Sequence, residues 1–417
     1  VTVGSLSDSK RKMYRRRRIA AGGIVTLVLL GGYSAAVAAA PLPELQATLS
    51  VDAEKQVQAD QSLAQQAVDA QALPAATGWF GEDQVWANSE ESYRIASITK
   101  LVTVLVGLDA APVEAGSDGP VYTVTDVDAA LIDEVLAQDG TFAPAPVGLE
   151  LTTRQMLDLI LVPSANNYAI SYSRWIFGSN DAFVQAASDW LTRNGLDSIN
   201  IEEPSGLSDN NVGSPSDIVR LAKLALENPL IAEIVAQSSV DIPGLGEITT
   251  TNRLLVDSGV IGVKTGTTFP NGYSLAAAKR MDVLGRELVA VAVTLDRPDG
   301  EARAADTRAV LAAMAESGQN IALVESGERI GKVTTWTGED VALLASDDLS
   351  VALVPGESVK RTIVLTGVTA GARGTEAGTI RATGPSGESS VRVVTDEAIA
   401  TPDFFWRFLH PGALFGG

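Results

Sequence analysis

The chain has 417 residues and an apolar share of 46%, enough for two or three domains, each with its own core. It has no cysteine and a single histidine, His410. That excludes disulfides and thiolate chemistry, and a Ser-His-Asp triad or a histidine metal site would have to be built around that one tail residue. A net charge of −20 disfavours nucleic acid, whose phosphates it would repel, and a serine nucleophile here needs another base, for which lysine is the natural candidate.

In chain order, Lys10, Arg11, Lys12 and Arg15 through Arg18 precede an uncharged run at 19–40. Positive residues before an apolar stretch of that length predict a basic cytoplasmic leader, 1–18, and a signal peptide or membrane anchor, 19–40. Ala38 and Ala40 are small enough for cleavage, and the length also suits a full span. Either way the positive flank is expected to stay inside and the acidic bulk to be exported. Residues 41–75 are rich in Ala, Gln and Asp and read as a tether or helical lead-in. Residues 77–90 suggest a hairpin feeding the next element.

That element is Arg94-Ile-Ala-Ser-Ile-Thr-Lys100-Leu-Val-Thr-Val-Leu-Val. Residues three apart share a helix face, so Ser97 and Lys100 can touch if a helix starts near the serine. The helix N-terminus adds N–H dipoles that favour negative charge there. Further on, 121–125 reads as a strand and 151–160 as a helix capped by Thr152. The 161–168 stretch joins it to helical pattern running to Trp190. Ser214-Pro-Ser-Asp217 is a helix start, with a capping serine and a proline at the first position. Strand-like runs occupy 260–268, 272–278 and 287–295, and a helix 302–317. From 319 to 396 short Val/Thr alternation with frequent glycine predicts a small antiparallel β-domain, and 397–417 is an aromatic tail.

Serine three before lysine is a weak pattern; Ser7 and Lys10 share it in the leader. Ser-x-Asn occurs at Ser164/Asn166, Ser198/Asn200 and Ser208/Asn210. The last two lie in turn-forming surroundings, whereas Ser164 sits between two amphipathic helices and can be aimed into a cleft. Lys264-Thr265-Gly266 occurs once; alone it reads as a strand end, but its glycine removes a side chain where a ligand backbone could approach.

These three motifs, in this order, resemble the serine D-alanyl-D-alanine carboxypeptidases, the low-molecular-mass penicillin-binding proteins, which share the trio with class A β-lactamases. The approach to Ser164 (Leu151-Thr-Thr-Arg-Gln-Met-Leu-Asp-Leu-Ile-Leu-Val-Pro), Gly206-Leu207, and Lys264 through Tyr273 are similar to family landmarks. Pro163, before the second-motif serine, and Asn167, where aspartate is common, depart from it. The resemblance implies an α+β fold: a penicillin-binding/β-lactamase-like transpeptidase domain at 76–318, an antiparallel sheet flanked by helices with a helical subdomain, followed by the all-β domain. It implies that Ser97 is the nucleophile, Lys100 its base and Ser164 a proton relay. Asn166, Lys264, Thr265, Gly266, Thr267 and Arg303 would bind a peptidoglycan stem peptide ending in D-Ala-D-Ala, without metal or cofactor and with β-lactams as covalent inhibitors. A β-lactamase using Glu202 or Glu203 to activate water, and a catalytically silent wall-binding homologue, are the alternatives.

Overall fold

The computed structural model describes residues 8–114, 116–268 and 272–415. Phe269, Pro270 and Asn271, in the run after Lys-Thr-Gly, and Ser7 of the leader pair lie outside them. The chain divides into two units: Gln58–Gln319 with Ala352–Glu357, and the segments up to Val57, Asn320–Val351 and from Ser358 onward.

In the first unit the described residues form a five-stranded antiparallel sheet. Its order is Val260–Thr268, Gly272–Val283, Arg286–Arg297, Ala75–Trp79, Trp86–Ala87. The middle strands are covered on both faces, which is why they read as unbroken apolar runs rather than alternating ones. Ala276, Ala278, Val291 and Val293 share a cluster with Ile218, Leu221 and Ala222 of the helix Pro215–Glu227. Their neighbours Leu275, Ala277, Ala290 and Ala292 share the other with Val310, Leu311 and Met314 of Gly300–Ala315. The period-2 side-chain alternation of a strand thus distributes one apolar run between two helices.

The helix Thr99–Ala110 is buried from Thr99 to Leu108, as a helix apolar all round should be. It packs with Thr153–Leu161, Asn166–Phe177 and Asn180–Arg193. Gly107 is fixed by this packing, because a Cβ there would overlap the Tyr172 ring. Local signals act as expected. Thr152 and Gln155 form a reciprocal capping box, and the Ser214 hydroxyl accepts the Asp217 N–H ahead of Pro215 at the first helical position. The expected hairpin pairs Ala76 with Ala87 and Thr77 with Trp86. The helix Asp126–Leu136, with its Thr125/Asp128 capping box, was not anticipated.

The second unit holds a seven-stranded sheet among its described residues, in the order Ala47–Leu49, Arg329–Thr334, Asp340–Ala345, Gly387–Thr395, Glu376–Gly384, Ser358–Leu365, Glu54–Gln58. Residues 41–75 are therefore not a plain tether. Two pieces are edge strands of this sheet, invisible to periodicity because Glu-Lys-Gln-Val-Gln has no apolar face, and Ser62–Asp69 is a helix. The apolar N-terminal run lies within one helix, Asp8–Ala39, long and apolar enough to cross a membrane. The tail forms the short helix Phe404–Leu409. Its Arg407 donates to the carbonyls of Val37, Ala38 and Ala40, while the Phe408 carbonyl accepts the Tyr33 hydroxyl at 2.6 Å.

Candidate active site

The backbone ahead of Ser97 is left-handed at Ala96 (φ 46°), an unusual conformation for a non-glycine residue that tends to mark functional sites. A 3₁₀ turn, Ala96–Ile98, then leads into Thr99–Ala110. Ser97 therefore stands one turn ahead of the helix, and Lys100 in its first turn reaches back to it. Lys100 Nζ lies 2.8 Å from Ser97 Oγ, 2.9 Å from Asn166 Oδ1 and 2.6 Å from the Ser205 carbonyl. The side chain is wholly buried. Burial pushes the amine down from the ordinary lysine range to about 7, against the opposing pull of the Glu203 carboxylate.

The second motif is set by a helix break. Pro163 follows the end of Thr153–Leu161, Ser164 turns left-handed (φ 67°), and a new helix starts at Asn166. A neighbouring loop braces the corner: the Thr141 hydroxyl donates to the Ser164 carbonyl at 2.6 Å, and the Asn166 N–H to the Thr141 carbonyl at 2.8 Å. Asn167 donates to the Ala143 carbonyl and accepts the Ala143 N–H. An aspartate could not make both bonds, so the amide at this position fits its role of pinning residues 141–145.

On the strand Val260–Thr268, side chains alternate. Thr265 and Thr267 line the cleft, while Lys264 stands buried in its wall. Lys264 is buried; burial first, then the charges of Lys100 and Arg303, hold its amine well below the usual range. Its Nζ donates to the Thr265 carbonyl at 3.1 Å, and the Thr265 hydroxyl pairs with that of Thr251 at 2.6 Å. Gly266 is needed for a different reason from the one expected. A Cβ there would sit 2.7 Å from the Ile95 carbonyl, so it is the protein's own chain before Ser97, not a ligand, that demands glycine. Arg303 is a buried residue, not an exposed helix-end arginine. Its guanidinium lies 3.4 Å from the Gly266 and Ser274 carbonyls and 5.7 Å from the Tyr273 ring centroid. Among the described residues no carboxylate pairs with it.

Ser97, Ser164, Asn166, Thr265, Thr267 and Arg303 all line one cleft of about 330 Å³. Lys100 and Lys264 stand in its wall. The other Ser-x-Asn pairs are used elsewhere. Ser198 Oγ contacts Ser214 Oγ and Asp217, and Ser208 and Asn210 both bind Glu202. Ser208→Ala is therefore expected to leave penicillin acylation at the wild-type rate. Ser164→Ala is expected to lower it by about 10²-fold or more, in the range for a lost proton-transfer group. Stopped-flow acylation rates on both variants decide; a matching loss in Ser208→Ala would reverse the assignment.

What sequence reasoning missed is how Glu203 and Gly206 aim the machinery. Glu203, read as a possible water activator, instead accepts from the N–H groups of Ser205, Gly206, Leu207 and Ser208, the Ser205 hydroxyl and the Asn211 amide. Gly206 (φ 87°) lies so close to the Ala96 carbonyl that no Cβ fits. Among the described residues no group of three or more His, Cys, Asp or Glu is placed to hold a metal ion.

Comparison with known proteins places the chain in a family. The family model for D-alanyl-D-alanine carboxypeptidases matches residues 81–297. A D-alanyl-D-alanine endopeptidase of Pseudomonas aeruginosa is 34% identical over 139 residues, 33% of this chain and 42% of that protein. The D-alanyl-D-alanine carboxypeptidase DacF of Bacillus subtilis is 24% identical over 65% of this chain and 69% of its own length. The chain thus spans well under the full length of these curated relatives. Penicillin binding protein 5 of Haemophilus influenzae superposes with a TM-score of 0.55 at 19% identity, covering 79% of this chain and 98% of that one; at this identity it speaks to the fold, an α+β penicillin-binding-protein architecture. With its motifs gathered in one cleft and the family model covering 81–297, the chain belongs to the D-alanyl-D-alanine carboxypeptidase family.

Proposed function

We propose that this protein is a serine D-alanyl-D-alanine carboxypeptidase that removes the terminal D-alanine from peptidoglycan stem peptides. The observation that carries the reading is the environment of Lys100 Nζ. A neutral amine has two N–H donors and one lone pair. Asn166 Oδ1 and the Ser205 carbonyl accept the two N–H groups, which leaves the lone pair facing Ser97 Oγ at 2.8 Å. Lys100 takes the Ser97 proton as Oγ attacks the carbonyl between the two D-alanines. The N–H groups of Ser97 and Thr267 hold the oxyanion. As the C–N bond breaks, the proton passes through Ser164 to the leaving amine. Asn166 holds the substrate amide, and Lys264, Thr265 and Arg303 grip the terminal carboxylate, with Arg303 already buried and, among the described residues, without a carboxylate partner. Gly266 lets this strand lie against the Ser97 turn. Water then releases the product, and β-lactams acylate Ser97 by the same route.

Release of D-alanine from a D-Ala-D-Ala peptide tests the reading; a protein that labels with penicillin yet releases none would be a wall-binding homologue. Rapid penicillin turnover instead of a long-lived adduct would favour a β-lactamase. The saturated hydrogen bonding of Glu203 leaves it no capacity to activate water, which argues against that alternative.

The helix Asp8–Ala39 fits a membrane anchor that places the catalytic unit at the outer face of the cytoplasmic membrane. Arg407 on the carbonyls of Val37, Ala38 and Ala40 supports a helix kept in the mature protein. Its intact mass after membrane extraction is expected to include the helix, and a mature chain beginning after Ala38 or Ala40 would refute retention.

A further inference from the structure

We propose that Glu203 is a positioning residue for acylation: its carboxylate folds the 203–208 loop so that the Ser205 carbonyl holds one Lys100 N–H and the amine lone pair stays on Ser97. The inference rests on the reading of Lys100 as base.

Four successive backbone N–H groups, from Ser205 to Ser208, converge on this one side chain at 2.6–3.3 Å, joined by the Ser205 hydroxyl at 2.6 Å and Asn211 Nδ2 at 3.0 Å. Successive N–H groups curled around an anion form a concave nest, here filled by the protein's own carboxylate. Filling it fixes which way the loop's carbonyls face. The Ser205 carbonyl lands 2.6 Å from Lys100 Nζ and the Pro204 carbonyl 2.6 Å from the Thr103 hydroxyl, one turn along the same helix. Asn211 closes the frame by donating to Thr99 Oγ1 at 3.1 Å as well as to Glu203. The loop is therefore pinned to three residues of the serine helix. Glu203 does not line the cleft and reaches the reaction only through Lys100.

The carboxylate also has an electrostatic effect. The charged groups facing Lys100 are Glu203 from this loop and Lys264 from the strand, with Arg303 beyond Lys264. Glu203 alone favours the protonated amine. On the far side Glu203 borders a small cavity shared with Arg174.

The test measures pre-steady-state penicillin acylation against pH for the full-length protein in detergent, with Glu203→Gln and Glu203→Asp beside wild type. Glutamine loses the charge and cannot accept from the whole nest. Its plateau rate is expected to fall at least tenfold, its rising limb to move to lower pH, and the affinity of the pre-acylation complex to stay unchanged. Aspartate keeps the charge with a shorter reach, so its limb should stay with wild type while the plateau falls. A glutamine variant with the wild-type plateau, or one whose only defect is stability with the limb unmoved, overturns the proposal. If that variant does not fold, the aspartate plateau decides, and a wild-type value there overturns it. Wild type with no acylation, or with no limb near neutral pH, would instead mean that the reading of Lys100 itself has failed.

Discussion

Ser97→Ala is expected to abolish covalent labelling by a fluorescent penicillin and to lower D-alanine release on the order of 10⁶-fold, the scale seen when a serine hydrolase loses its nucleophile. The large effect follows from the lack of a substitute. The chain has no cysteine. The Thr265 hydroxyl is paired with Thr251, and Ser164 has no hydrogen bond to Lys100 that would let it inherit the base. The substitution should leave the fold intact. Among the described residues Ser97 Oγ bonds only to Lys100, and a neutral amine keeps both its N–H groups satisfied by Asn166 and Ser205. A melting temperature near wild type, together with lost labelling in gel fluorescence, is the expected result. Labelling that persists in a folded variant would move the nucleophile elsewhere and take the mechanism with it.

The site was legible in the sequence to the extent that chemistry restricts residue type. An attacking hydroxyl beside an amine, a second hydroxyl beside an amide, and a cationic strand are demands on side chains, and side chains are written in the sequence. What aims them is written in the path of the backbone. Glu203 in Glu-Glu-Pro-Ser-Gly shows a carboxylate near a loop but not that the loop curls back upon it. Gly266 showed a missing side chain but not whether a ligand or Ile95 would occupy the space. The same division holds for the fold. Strands covered on both faces announced themselves as apolar runs, and caps such as Thr152 and Ser214 marked helix starts. Edge strands made of polar residues, such as Glu54–Gln58, gave no periodic signal. For the helix at Asp126 the sequence did contain a cue: Thr125-x-x-Asp128 before Leu131 and Val135 is a capping box ahead of an apolar stripe.

The pH dependence of acylation probes the base directly. With Lys100 held to about 7, the neutral amine is the minor form below that pH and the dominant form above it. Acylation measured as kcat/KM, which reports the free enzyme, should rise with pH through neutrality and level off. About two units below the limb only about 1% of Lys100 is neutral, so the rate there should be roughly 100-fold under the plateau. Lys264 complicates the assignment in a useful way. It is buried too, and Lys100 and Arg303 press it further toward neutrality. A proton on either lysine favours its loss from the other, and the observed limb belongs to the pair. Lys100→Arg separates the two. A guanidinium stays charged at any accessible pH and offers no lone pair, so this variant should acylate at least about 10⁴-fold more slowly, the upper range for a lost general base, with no recovery at high pH. Lys264→Gln should keep a rising limb, because Lys100 and the burial that depresses it remain. A Lys100→Arg protein that retained the wild-type limb would show that the titrating base is not Lys100, however well placed its amine is beside Ser97.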